Sequence, residues 1–239
     1  MKPYNLVIFG ATTNITKDII KLSPKNYFFH LFYRNEEKIS SLKNSPVSKK
    51  CTFNKIDLED TTMSINKYKK FLEKNPKIDG FIYLAGTRGH KIEECDFISW
   101  RKVFSVNLES AYFTGVETCK TMVANNICGK LIFIASTTAY YGGAPDYSAS
   151  KAGILSITKS LAKHFATNNI CINSITPGYI DTEANNWNSE KLAKKLQNVP
   201  LGKLCSSKEI ANLVLYLLSN KSSYITGSSI DINGGLIFR

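Results

Sequence analysis

Residues 5–20 read N-L-V-I-F-G-A-T-T-N-I-T-K-D-I-I. A short β-rich run, Asn5–Phe9, enters a glycine, polar residues follow, and apolar residues then return at helical spacing. Strand, glycine turn and helix in that order open a βαβ unit, where the phosphates of a dinucleotide meet a helix N-terminus.

The alternation continues to the end of the chain. Further β-rich runs lie at Tyr27–Tyr33, Cys51–Ile56, Gly80–Leu84, Lys130–Ala135, Ile170–Ile175 and Ser228–Ile232, with no Pro/Gly/Ser linker and no internal repeat between them. After the fourth run, Trp100, Val103, Phe104, Leu108, Ala111, Tyr112, Val116 and Cys119 recur at helical spacing, and Tyr147 to Phe165 repeats the pattern. The expected fold is α/β: a single doubly wound Rossmann-type parallel sheet of about seven strands with helices on both faces, filling residues 1–239 as one domain. Ligands are expected at the carboxyl ends of the strands.

Composition narrows the function classes. The 239 residues are 43% hydrophobic, ample for a large core, and no stretch approaches the roughly 18 apolar residues of a membrane span. The start, M-K-P-Y-N-L-V-I-F-G-A, soon meets Thr12, Thr13 and Asn14 and makes a poor signal peptide, so a cytoplasmic protein is expected. Cysteines 51, 95, 119, 128, 171 and 205 form no C-x-x-C pair, which speaks for reduced thiols and against a metal site. The net charge of +12 is spread along the chain, and K-Y-K-K at 67–70 reads as a solvated helix face, so neither nucleic acid nor membrane is an expected partner.

Residues 145–153 read P-D-Y-S-A-S-K-A-G. A spacing of four puts Tyr147 and Lys151 on one helical face, where an ammonium can lower the pKa of a phenol. With 12 tyrosines and 27 lysines, about one such pair arises by chance, so the pair needs context. Asn107 in F-S-V-N-L and Ser136 in L-I-F-I-A-S-T-T supply it.

From end to end the chain resembles the short-chain dehydrogenases/reductases, and in layout their 3-oxoacyl-carrier-protein reductase branch. Asn107, Ser136, Tyr147 and Lys151 match the family's catalytic tetrad. The resemblance implies that Tyr147 exchanges the proton, Ser136 bonds the reacting oxygen, Lys151 lowers the Tyr147 pKa and bonds the nicotinamide ribose, and Asn107 holds a water linking Lys151 to solvent. Of the family's G-x-x-x-G-x-G turn only Gly10 is kept; Asn14 and Thr16 replace the other glycines. Asn14 is expected to keep the turn by a left-handed conformation, and Thr16 to push the helix outward or narrow the pyrophosphate site. The hydroxyls of Thr12, Thr13 and Thr16 and the amides around Asn14 and Ile15 are expected to offer donors to phosphate.

The family's N-N-A-G reads Y-L-A-G here, keeping Ala85 and Gly86 but placing Tyr83 and Leu84 where asparagines tie neighbouring strands. Asp57-Leu58 resembles the adenine-binding corner, and Pro177, Gly178, Ile180 and Thr182 match the segment passing over the nicotinamide. Tyr33 stands where NAD-preferring relatives carry an acid, followed by Arg34, which either forks onto a 2′-phosphate or pairs with Glu36 or Glu37. The expected cofactor is NADP(H) rather than NAD(H).

The resemblance implies hydride transfer between nicotinamide and a carbonyl or secondary alcohol. The expected substrate is a carrier-protein-bound 3-oxoacyl thioester first, or a small-molecule ketone such as a specialised metabolite or sugar. A flap over about 180–200 carries Trp187, and Arg88 and His90 are expected either to meet an acidic group or to be exposed loop residues. A homotetramer or homodimer is expected, built on the two long helices with Leu155, Ile157 and Leu161 beside Phe165. The alternatives are a nucleotide-binding scaffold, its cofactor site weakened by the altered turn, or a non-redox enzyme.

Overall fold

The seven strands are β1 (Tyr4–Phe9), β2 (Tyr27–Tyr33), β3 (Cys51–Lys55), β4 (Gly80–Tyr83), β5 (Lys130–Ile134), β6 (Cys171–Pro177) and β7 (Ser229–Ile232). They form one sheet in the order β3-β2-β1-β4-β5-β6-β7, and every neighbouring pair is parallel in this computed structural model, which describes residues 2–181 and 187–239. The strand order reverses between β1 and β4, so a crevice opens at their carboxyl ends. The expected strands match these to within two residues, and the doubly wound sheet is as the sequence predicts.

Side-chain alternation along each strand builds two cores. Val7 and Phe9 of β1, Phe32 of β2 and Leu131 and Phe133 of β5 face one side, against helices α3 (Thr61–Lys74), α5 (Ser110–Ala124) and α7 (Pro145–Phe165). Leu6, Ile8, Leu31, Ile132 and Ile134 face the other, against α1 (Asn14–Leu22), α2 (Glu36–Lys43) and α9 (Ser207–Leu218). Burial on both faces is why the strands read as continuous apolar runs rather than alternating ones. Phe9 stacks on Phe32 with ring centroids 4.5 Å apart, which ties β1 to β2 beside the crevice.

The long amphipathic stretch after β4 departs from expectation. It divides into α4 (Phe97–Phe104), a π-helical turn at Ser105–Glu109 and α5. A π-turn inserts one residue into the helical ladder and frees a carbonyl, a device frequent at functional sites. Asn107 lies inside it, fully buried. The short α6 (Thr138–Tyr141) follows β5, and α8 (Ser189–Leu196) lies in the expected flap. Among the described residues no helix is long and apolar enough to cross a membrane.

Candidate active site

The turn after β1 keeps its shape without the second and third glycines. Gly10 has φ +93°, and a Cβ there would fall 2.7 Å from Ala85 N, so backbone passes backbone where no side chain fits. Asn14 is not left-handed, contrary to expectation: it begins α1, and the non-glycine residues of positive φ among those described are Asn126 and Asn169. Thr16 is completely buried, and its Oγ1 donates to Gly10 O at 3.1 Å. Thr13 Oγ1 caps the helix by accepting from Thr16 N at 3.1 Å and lies 3.1 Å from Thr16 Oγ1. With the Thr16 proton on Gly10, Thr13 donates its own to Thr16, and neither hydroxyl keeps a proton for a phosphate. Thr12 keeps its hydroxyl, and the Asn14 and Ile15 amides at the helix start remain as donors.

Two cavities meet along the crevice. One, of about 300 Å³, runs from Gly10, Thr12 and Thr13 past Arg34 to Leu58, Ala85 and Gly86. The other, of about 510 Å³, holds Ile15, Ser136, Tyr147, Lys151, Pro177, Gly178 and Ile180, and both share Thr13, Leu84, Gly86 and Thr87. An elongated groove that passes a helix N-terminus and ends at a Tyr/Lys pair fits a dinucleotide. Asn14 and Asp57 line neither cavity; the Asp57 carboxylate instead accepts from Glu59 N at 3.1 Å. Thr182, with Asn185 and Asn186 of the flap, lies outside the described residues.

Arg34 pairs with neither Glu36 nor Glu37. Its guanidinium bonds Glu59, which Lys102 also reaches at 3.0 Å, while Glu36 is held by Lys43 and by Tyr33 Oη at 2.7 Å. Arg34 remains 62% exposed with donors to spare, and Lys38, one helical turn further, lines the same cavity. Reading the sequence missed Lys38, although a second cation four residues beyond Arg34 was a usable signal.

At the other end, Lys151 is buried and its Nζ donates to Ile134 O at 2.7 Å. Burial lowers its pKa from 10.5 to about 8. Nζ stands 5.6 Å from the centroid of the Tyr147 ring. Contrary to the sequence expectation, the Tyr147 pKa is raised: burial dominates, the facing Ser136 hydroxyl partly offsets it, and Tyr141 adds to the rise. Ser136 is itself fixed by Thr138 Oγ1, which donates to its Oγ at 3.0 Å.

The Asn107 side chain is engaged by the protein itself. Its Oδ1 accepts from Thr87 N at 2.8 Å, and its Nδ2 donates to Thr87 O at 3.1 Å and to Ser150 Oγ at 3.2 Å. Tyr83, where the family's asparagine ties neighbouring strands, reaches a helical turn instead. Its buried hydroxyl donates to Val106 O at 2.5 Å, inside the π-turn and one residue before Asn107. Asn107 Oδ1 and Lys151 Nζ flank Gly86, whose added Cβ would lie 3.4 and 3.7 Å from them. The four tetrad positions are thus brought to one end of the groove.

A doubly wound sheet with a glycine turn, a dinucleotide groove and a buried Tyr/Lys pair at its end defines a nicotinamide-dependent oxidoreductase of Rossmann type. The chain belongs to the short-chain dehydrogenase/reductase family. A family model described as Enoyl-(Acyl carrier protein) reductase matches residues 22–237. The 3-oxoacyl-[acyl-carrier-protein] reductase FabG of Chlamydia pneumoniae is 32% identical over 240 residues, covering 98% of this chain and 96% of the relative. That of Buchnera aphidicola subsp. Schizaphis graminum is 35% identical over 185 residues, covering 76% and 75%. A solved short-chain dehydrogenase/reductase from Serratia marcescens is 25% identical with TM-score 0.88 over 98% of both chains. The crystal structure of a 3-oxoacyl-[acyl-carrier protein] reductase from Brucella melitensis shares the fold, with TM-score 0.89 at 23% identity over 100% and 92%.

Proposed function

We propose that this chain is an NADP(H)-dependent reductase of 3-oxoacyl thioesters carried by an acyl-carrier protein, acting in the cytoplasm. The observation that carries the reading is the joining of the two cavities at Gly86, with Ser136, Tyr147 and Lys151 on the wall beyond it. The relatives named as 3-oxoacyl reductases support the substrate class. Gly10, Thr12, the first amides of α1, Gly86 and Lys151 would hold the dinucleotide, with Arg34 and Lys38 toward a 2′-phosphate. When bound, NADPH supplies the hydride.

The chain's own groups then manage the proton. A phenol whose pKa is raised by burial stays protonated, so Tyr147 is set to donate to the carbonyl oxygen in the reducing direction. Ser136 bonds the same oxygen, and charge grows there only as the hydride arrives, so these fixed donors favour the transition state over the ketone. Lys151, pinned by Ile134 O, keeps its remaining N–H groups beside Gly86. Asn107 holds Thr87, and so fixes the loop that follows β4.

Product analysis after incubation with NADPH and a 3-oxobutanoyl thioester tests the reading. A 3-hydroxybutanoyl thioester is expected. A crotonyl thioester consumed to the saturated product, with the 3-oxo compound untouched, would instead make this an enoyl reductase, as the family model's description has it. Binding of cofactor without either reaction would favour the scaffold.

A further inference from the structure

Asp146 is completely buried in the first turn of α7, one residue before Tyr147. A carboxylate is tolerated there only if donors surround it. Its Oδ1 accepts from Tyr147 N at 2.7 Å and from His90 N at 3.1 Å, and its Oδ2 lies 2.7 Å from His90 Nδ1. Burial alone would raise its pKa, yet the bonds from His90 and Tyr147 prevail and hold it below the usual range. The Cys95 thiol also faces this carboxylate. Gly89 closes the contact, because a Cβ there would fall 2.4 Å from Asp146 Oδ1 and 2.5 Å from Tyr147 Cβ.

The segment from Thr87 to His90 is therefore stapled at both ends. Asn107 holds Thr87 through both its backbone groups, and Asp146 holds His90 through its backbone and its ring. Arg88 stands between the staples, exposed on the wall of the larger cavity and without an ionic partner among the described residues. Neither His90 nor Asp146 lines that cavity. His90 is thus not free to meet an acidic substrate group, as its sequence position suggested.

We propose that His90 is a positioning residue for the reaction: bonded to Asp146, it locks residues 87–90 onto the first turn of α7 and so fixes both the Tyr147 hydroxyl and Arg88 against the acyl thioester. The inference rests on the carbonyl-reductase reading of the same site. The ring's Nδ1 and the side-chain amide of asparagine reach similar places, so His90→Asn keeps a donor to Asp146 that His90→Ala removes. Asp146→Asn keeps the shape and loses a charged acceptor.

The test compares these three variants with the wild type in NADPH-dependent reduction of the N-acetylcysteamine thioester of 3-oxobutanoate, and in amide hydrogen exchange of the cofactor-free protein. His90→Ala and Asp146→Asn should lose about tenfold or more in kcat and raise KM, with NADPH affinity near wild type and the fold kept at a lowered melting temperature. His90→Asn should return kcat to within about threefold. Exchange at residues 87–90 should quicken in His90→Ala and Asp146→Asn alone. A wild-type kcat in His90→Ala, or in Asp146→Asn should His90→Ala not fold, would overturn the proposal. So would His90→Asn as slow as His90→Ala. If the wild type reduces no thioester, the functional reading fails, and unchanged exchange would then sink the staple separately.

Discussion

Two residues carry the ionic design of the site. Arg34 reaches the dinucleotide groove while bonded to Glu59, so a 2′-phosphate bound there would compete with that carboxylate. Arg34→Ala should weaken NADPH binding by about 1.5–3 kcal/mol, the worth of a charged hydrogen bond, and leave NADH nearly unchanged. Glu59→Gln should tighten NADPH, and equal losses for both cofactors in Arg34→Ala would reject the assignment. Lys151 is the second case. Its pKa falls from 10.5 to about 8 on folding, so between these values the unfolded chain binds more protons than the native one. Stability therefore rises with pH across that window, and below it the burial penalty is fully present. Urea unfolding of wild type and Lys151→Met, at about pH 7.5 and about pH 10, should show the gap between them changing in favour of the wild type at the higher pH. A gap that does not move with pH would mean that Lys151 is not perturbed.

At the scale of elements, the β1–α1 turn shows how a departure from a family pattern is absorbed. Thr16 replaces a glycine, yet its hydroxyl satisfies Gly10 O and orders Thr13 in the cap. Thr16→Val keeps the shape, leaves Gly10 O only its long bond from Thr13 N at 3.4 Å and removes the acceptor of the Thr13 hydroxyl, at a cost of about 1–3 kcal/mol, readable as a lower midpoint of unfolding. An unchanged midpoint would show that the Thr16 hydroxyl contributes nothing. Such bonds were not legible in the sequence, which pointed instead to steric trouble at Thr16. The sheet was legible because doubly buried parallel strands carry unbroken apolar runs, and β2 was placed to the residue. The tetrad positions came from the family resemblance; Ser136 follows β5 and Tyr147 lies in the first turn of α7, whereas Asn107 falls inside the π-turn. The π-turn was not, because one inserted residue scarcely disturbs a 3.6-residue period over the helices on either side. The Arg34–Glu59 pair and the Asp146–His90 pair were missed for another reason: their partners lie 25 and 56 residues apart, where only the folded topology joins them.

For the whole molecule, assembly remains a proposal that the surface makes concrete. Leu161 and Phe165, expected on an outer face of α7, lie in the protein's own core, which leaves Leu155 and Ile157 only partly buried. On α5, Tyr112 and Phe113 pack edge to face and stay exposed, as do Phe97 and Ile98 at the start of α4. We propose that these α4 and α5 faces join subunits into a tetramer. Light scattering should give about four times 26.7 kDa, and Phe113→Asp should yield smaller species that keep the fold. A wild-type monomer at micromolar concentration would refute this. The central claim is chemical, and one comparison tests it most directly: NADPH consumption with a 3-oxobutanoyl thioester by wild type and by Tyr147→Phe, each first shown to bind NADPH. The account predicts that the wild type forms the 3-hydroxy product and that losing one hydroxyl slows it by roughly 10²–10⁴-fold with cofactor affinity kept. Equal rates in the two proteins would contradict it.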